Sequence, residues 1–180
     1  MVEDQLSHNN FKKNLYKQFM KKILILLFVL NLNNQTFAAG SDSSSDTSET
    51  ALYDQAVKLV KRAGKLEKKE KVEKAKKLYS QAFKKLNTAY KSDKTNPDIL
   101  NYMGFTSRKT GNFKEAENYY LKGLNLDPKH NGINEYLGEL YVQTNRIDKA
   151  NERLAVLKNC DCEEYQDLEL IIKTRGAKIY

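Results

Sequence analysis

The sequence predicts an all-α fold in which helical hairpins stack along the chain. From Ser41 onward, apolar residues recur at intervals of three and four, the helical period, and no stretch alternates as a strand would. Small and apolar residues also recur after 34 residues, which indicates repeated helix-turn-helix units. We therefore expect about three stacked hairpins, followed by a helix that closes the stack.

Residues 97–130 carry the repeat pattern most clearly. Two helices are predicted here, and each carries small or apolar residues on one face. They are Leu100, Met103 and Gly104 in the first helix, and Ala116, Tyr120 and Gly123 in the second. Gly111 is predicted to end the first helix. Asp127 and Pro128 are predicted to end the second, because proline cannot continue a helix.

The same positions recur in residues 131–164. They hold Asn134, Leu137, Gly138, Ala150, Leu154 and Leu157. Glycine recurs at Gly104 and Gly138, and alanine recurs at Ala116 and Ala150. Small residues at these places predict that the two helices of each unit approach closely.

The order and spacing of leucine, glycine, alanine, tyrosine and proline in residues 97–130 resemble the tetratricopeptide repeat family. The resemblance implies a right-handed stack whose concave face is lined by the first helix of each repeat. Residues 131–161 are a degenerate repeat, with Cys162 at the family's proline position. An atypical first repeat is predicted at residues 53–96, where seven extra residues extend a Lys-rich second helix to about Lys91.

Residues 162–176 are predicted to form a capping helix over the last repeat. Its apolar stripe consists of Tyr165, Leu168, Ile171 and Ile172. Asp161 and Glu164 have the spacing of a capping box at its start. A polar outer side would end an otherwise open stack.

Cys160 and Cys162, the only cysteines, lie at the turn into this helix. Four roles are open: a metal site, a catalytic thiol, a disulfide, or two packed thiols. An even count in an exported protein favours the disulfide. The repeats, the cysteine pair and the "CEEY" segment together resemble a group of exported bacterial tetratricopeptide-repeat proteins over residues 53–172.

Residues 1–38 are predicted to be a signal peptide with an extended n-region. Lys21 and Lys22 precede a short apolar run, and small residues precede the expected cleavage after Ala38. The apolar run is too short to span a bilayer, so we expect an exported, periplasmic protein without a transmembrane span in the mature chain. Residues 39–52 are Ser-rich and predict a flexible linker.

Basic residues are concentrated in residues 58–94, where fourteen Lys and Arg accompany four Asp and Glu. A solvated helix face is the favoured interpretation, and contact with an anionic envelope surface or polymer is the alternative. Nucleic acid is not an expected partner, because no exposed aromatic residues are interleaved with the basic ones. No nucleophile–base pair, phosphate loop or metal-ligand spacing is present, so neither enzymatic activity nor a cofactor is predicted.

The predicted function is a scaffold that binds a protein or peptide partner on its concave face. The residues expected to be exposed there and to contact the partner are Asn101, Phe105, Arg108, Lys109, Glu135, Glu139 and Gln143, with Asp98 and Val142 beside them. Phe105 is either an anchor for a peptide or packed under the Lys-rich helix. The family's carboxylate clamp, a lysine followed four residues later by asparagine, has no match at Asn101 and Phe105.

Overall fold

Seven α-helices follow one another in the computed structural model, which describes residues 49–176. They are α1 (Glu49–Glu67), α2 (Val72–Ser92), α3 (Pro97–Lys109), α4 (Phe113–Leu126), α5 (Asn131–Gln143), α6 (Ile147–Leu157) and α7 (Glu163–Lys173). No strand occurs within these described residues. The all-α prediction is confirmed. The predicted signal peptide lies outside the described residues.

The helices form three hairpins, α1–α2, α3–α4 and α5–α6, and each hairpin packs on the next. Helix α7 packs on both α5 and α6 and closes the end of the stack, as predicted. No helix between residues 49 and 176 is both long enough and apolar enough to span a bilayer.

The turn inside each hairpin repeats one backbone pattern. Glu70, Gly111 and Asn145 adopt positive φ angles of 57°, 90° and 56°. The amide of the following residue then donates to a carbonyl five residues earlier, at 2.9 Å from Lys71, 2.9 Å from Asn112 and 2.7 Å from Arg146. This pattern satisfies carbonyls that a helix end leaves free. The predicted end of the first helix before Gly111 is confirmed.

Two residues 34 positions apart, Asn96 and His130, cap the first helices of the second and third hairpins. Asn96 Oδ1 accepts from the backbone amide of Asp98 at 2.9 Å. His130 Nδ1 accepts from the amide of Ile133 at 3.2 Å, and its Nε2 lies 3.1 Å from Asp98 Oδ1. Because Nδ1 accepts, the proton of neutral His130 sits on Nε2 and is donated to Asp98. His130 therefore caps a helix.

The first hairpin is longer than the other two. Helix α2 continues to Ser92, which confirms that the extra residues lengthen this helix. One predicted boundary differs from the structure. Residues 49–52, expected in the linker, belong to α1, because Leu52 packs on the core of the first hairpin. Helix α1 also continues through Gly64 to Glu67.

Glycine allows close packing in the second and third hairpins. A Cβ atom added at Gly104 would collide with the Tyr120 ring of α4, and one added at Gly138 would collide with Leu168 of α7. Tyr120 and Leu168 are both fully buried. The predicted close approach of the two hairpin helices is confirmed at Gly104, whereas the close neighbour of Gly138 is Leu168 of the capping helix.

Replacing Gly104 by alanine is expected to lower the free energy of unfolding by about 1–3 kcal/mol, because the added methyl group overpacks against Tyr120. Gly64→Ala is the matched control in α1. A Cβ at Gly64 meets no atom within 4 Å, so alanine there should stabilise by about 0.5–1 kcal/mol through helix propensity. Urea unfolding of the two variants should show shifts of opposite sign, and equal shifts would refute this packing.

Helix α7 begins without the predicted capping box. Its N-cap residue is Cys162, which makes no side-chain capping bond, and Asp161 adopts a φ of 49°. That conformation removes Asp161 from the capping position. The buried face of α7 consists of Leu168 and Ile171, and both were predicted in its apolar stripe.

Cys160 and Cys162 form a disulfide with Cα atoms 5.2 Å apart. The closed loop is so short that it removes little entropy from the unfolded chain. We expect the double variant Cys160→Ser, Cys162→Ser to lose amide protection in α7 while its urea midpoint changes little. Hydrogen exchange followed by mass spectrometry measures the first effect. A large fall in the global midpoint would contradict a purely local role.

Candidate functional site

A cavity of about 280 Å³ opens on the side of the stack where the first helices lie. Helices α1, α3, α5 and α7 contribute most of its lining, and α2 contributes Tyr79. Helix α3 provides Phe105, Arg108 and Lys109, which follow the helical spacing of three and four. Helix α5 provides Glu135 and Glu139 with the same spacing. The repeat thus brings polar and aromatic side chains to one place.

Five of the seven predicted contact residues line this cavity: Phe105, Arg108, Lys109, Glu135 and Glu139. Asn101 and Gln143 are not part of its lining, although the exposed Gln143 accepts from Arg108 Nη1 at 3.3 Å. Whether these residues bind a partner remains a prediction.

The expected exposure was wrong for five residues. Asn101, Arg108, Glu135, Glu139 and Val142 expose between 2% and 7% of their surface. The first helices pack on one another, and α7 packs on α5, so the face expected to be open is largely covered. Sequence periodicity assigns a helix face but not what covers it.

Arg108 and Glu139 form a buried ion pair at the base of the cavity. Nη2 of Arg108 lies 2.6 Å from Oε2 of Glu139, and each side chain is 2% exposed. Burial alone would lower the pKa of the Arg108 guanidinium, but the Glu139 carboxylate, together with Tyr120 and Tyr136, outweighs burial and raises that pKa. The guanidinium also lies 5.5 Å from the centroid of the Phe105 ring and 5.8 Å from that of Tyr136.

A second polar cluster joins α1, α2 and α3 at the other side of the cavity. Lys109 Nζ lies 2.7 Å from Oε2 of Glu67. Tyr79 donates its hydroxyl proton to the same carboxylate oxygen at 2.9 Å. Burial, assisted by the Glu67 carboxylate, raises the pKa of Tyr79, so its hydroxyl stays a donor at neutral pH.

Phe105 both packs against the long helix α2 and lines the cavity. Its ring packs edge-on against Tyr79 of the long helix, with centroids 5.9 Å apart, and lies 4.9 Å from the ring centroid of Tyr136. It remains half-buried and lines the cavity. The aromatic rings form one wall of the cavity.

Glu135 differs from the other acidic residues of the cavity. It is 6% exposed and lines the cavity, yet no residue in the described part of the chain donates a hydrogen bond to its carboxylate or forms an ion pair with it. Burial, together with the Glu139 and Asp167 carboxylates, raises its pKa to about 9. Glu135 is therefore protonated at neutral pH in the free protein.

Several lining residues were missed by sequence analysis: Glu67, Tyr79, Tyr136 and Asp167. Tyr136 had a signal, because Tyr102 precedes it by 34 residues and an aromatic residue thus recurs at this position. Glu67 and Asp167 had none, since the stretched first hairpin and α7 fall outside the 34-residue period. No group of three or more potential metal ligands occurs among residues 49–176.

A protein-family model for the tetratricopeptide repeat matches residues 97–130, which are α3, α4 and their flanking turns. The chain contains a tetratricopeptide repeat. The matched repeat provides Phe105, Arg108 and Lys109 to the cavity. The α5–α6 hairpin follows the same 34-residue pattern, so the cavity lies on the side formed by the first helices of the hairpins.

Solved structures similar to this stack include the type III secretion translocator chaperone SycD of Yersinia enterocolitica. The alignment has 17% sequence identity and a TM-score of 0.44, and covers 68% of this chain and 89% of that one. A SycD complex with a peptide of the translocator YopD gives the same identity and TM-score, with 68% and 90% covered. A likeness of this degree carries no conclusion about the present chain. No curated protein matches it in sequence.

Proposed function

We propose that the protein is an exported, periplasmic tetratricopeptide scaffold that binds a protein or peptide partner on its concave side and catalyses no reaction. One observation carries the proposal. The cavity between the first helices presents buried polar and aromatic groups from α3 and α5 to a space of about 280 Å³. Aromatic and arginine side chains of this kind carry much of the binding energy at protein interfaces.

Gly64 provides a way to close the cavity without disturbing its walls. It lines the cavity, and a side chain added there meets no atom within 4 Å at Cβ. Gly64→Phe should therefore fill the cavity, whereas Gly64→Ala leaves most of it open. Both variants should keep the helical content and the urea midpoint of a folded stack.

Affinity capture from an envelope extract, with the immobilised protein, tests the proposal. We expect the wild type and Gly64→Ala to retain the same partner and Gly64→Phe to lose it. Capture that Gly64→Phe leaves unchanged would contradict binding at the concave side.

Export rests on the pattern of residues 20–40, with its two lysines, apolar run and small residues before Ala39. Mass spectrometry of the protein from the periplasmic fraction should find an N-terminus close to Ala39. Retention of the intact chain in the cytoplasm would contradict export. It would not affect the proposal of binding at the concave side, which the capture experiment tests.

An alternative function is binding to anionic envelope surfaces or polymers. Helix α2 carries five exposed lysines: Lys74, Lys76, Lys77, Lys84 and Lys91. Binding of this kind weakens steeply with salt. The alternative predicts salt-sensitive binding to anionic lipid vesicles that Lys77→Glu with Lys84→Glu abolishes and Gly64→Phe preserves. The scaffold proposal predicts the reverse for capture of the protein partner.

A further inference from the structure

We propose that the concave cavity accepts the guanidinium group of an arginine in the partner segment, with Glu135 as its counter-ion. This inference rests on the proposed function, since it specifies what the concave side recognises. Its starting point is Glu135, a residue that exposes 6% of its surface, lines the cavity and has no hydrogen-bond or ion-pair partner for its carboxyl group among the described residues. Ionisation of a buried carboxyl group is costly without a cationic partner, so the place of Glu135 in a binding cavity points to a ligand that supplies one.

The charges that line the cavity favour a cationic ligand. Its two buried or half-buried cations are already engaged, Arg108 with Glu139 at 2.6 Å and Lys109 with Glu67 at 2.7 Å. Lys68 also lines the cavity but is solvent-exposed. Glu135 is thus the acidic group inside the cavity that no described cation pairs with.

The aromatic wall favours arginine over lysine. Phe105, Tyr136 and Tyr79 line the same cavity as Glu135. A guanidinium is planar and weakly hydrated, so it stacks on aromatic rings at a lower desolvation cost than an ammonium does. It also matches the two oxygens of a carboxylate with two parallel N–H donors.

Arginine binding should release a proton. Glu135 has a pKa of about 9 in the free protein, so a guanidinium binds by displacing the proton that the carboxyl holds at neutral pH. The groups that act on this carboxyl are Glu139 on its own helix, Arg108 on α3, and Glu164 and Asp167 on α7. The remaining charged groups that line the cavity are Glu67 at the end of α1, Lys68 in the turn that follows, and Lys109 of α3. Below that pKa, affinity should rise about tenfold per pH unit, as linkage to one released proton requires.

The test is a two-dimensional NMR titration of the mature chain with N-acetyl-arginine methylamide as the probe. The corresponding lysine and citrulline compounds serve as ligand controls, because citrulline keeps the shape of arginine without its charge. We expect saturable shifts around the cavity with the arginine compound, a weaker response with lysine and none with citrulline. Affinity should increase as the pH is raised.

Three variants test whether the arginine compound binds in the cavity. Glu135→Gln should weaken binding of the arginine compound at least tenfold, and the matched control Glu163→Gln, an exposed position on α7, should leave it unchanged. Gly64→Phe should abolish binding. No saturable shift with the arginine compound, equal binding of citrulline, or full binding by Glu135→Gln would each overturn the inference. If Gly64→Phe fails to capture the partner and Glu135→Gln still captures it, the scaffold proposal stands and only the arginine site is refuted.

Discussion

Replacing Arg108 by methionine is expected to lower the free energy of unfolding by about 3–5 kcal/mol, because it leaves the Glu139 carboxylate buried without its cation. The two side chains are each 2% exposed and their charged atoms lie 2.6 Å apart. Water cannot replace the lost guanidinium at that degree of burial. Urea unfolding monitored by circular dichroism measures the change.

Two controls separate the buried charge from the loss of side-chain packing. Arg146→Met breaks a similar pair with Glu117 at 2.8 Å, but those side chains are 33% and 22% exposed, so we expect a cost of about 1 kcal/mol or less. The double variant Arg108→Met, Glu139→Leu removes both charges and should recover most of the lost stability. Equal losses for Arg108→Met and Arg146→Met would show that the Arg108 pair is not desolvated.

Glu135→Gln is expected to stabilise the protein at alkaline pH and to flatten its pH dependence. The folded-state pKa of Glu135 is raised from its ordinary value of 4.5 to about 9. The folded state therefore holds a proton that the unfolded state releases, so this group's contribution to stability is complete below about pH 4.5 and is lost as the pH rises toward 9. Glutamine has nearly the same shape and does not ionise.

The two proteins should have similar stability near pH 5, and the variant should be more stable by roughly 4 kcal/mol near pH 8, at about 1.4 kcal/mol per pH unit. Other groups titrate in both proteins, so the difference isolates Glu135. Glu163→Gln, at an exposed position on α7, should have the same stability as the wild type at every pH. A Glu135→Gln variant that tracks the wild type across this range would show that Glu135 is ionised in the folded protein.

The 34-residue period correctly predicted the second and third hairpins, because their turns and close contacts depend on short stretches of sequence. Gly111 and Asn145 end the first helices with one backbone pattern, and Gly104 and Gly138 mark close contacts. These features depend on neighbours along the chain or on one facing helix. Periodicity was therefore enough to place α3 to α6.

The candidate site could be predicted only in part. Phe105, Arg108 and Glu139 were predicted to lie together and all line the cavity, but Arg108 and Glu139 were expected to face solvent and instead pair in the interior. Their burial depends on α7 covering α5 and on the first hairpin packing on α3, which are contacts between distant parts of the chain. The capping-box pattern at Asp161 failed for a related reason, because the backbone of the Cys160–Cys162 turn holds Asp161 outside the helix.

Ion pairs inside the cavity fix the positions of its charged side chains. Arg108 and Lys109 are held by Glu139 and Glu67, so the cavity keeps a fixed arrangement of charges before any partner binds. A preorganised site reduces the ordering cost of association. The exposed lysines of α2 form a separate basic surface, which gives the two candidate functions different positions on the molecule.

Site-specific photo-crosslinking in an envelope extract tests the concave-side account most directly. A photoreactive residue at Lys68, which is exposed and lines the cavity, is compared with one at Lys77 on the exposed face of α2. The account predicts a discrete protein adduct from position 68 that the Gly64→Phe change abolishes, and no such adduct from position 77. The same adduct from position 77, with position 68 unreactive, would contradict it.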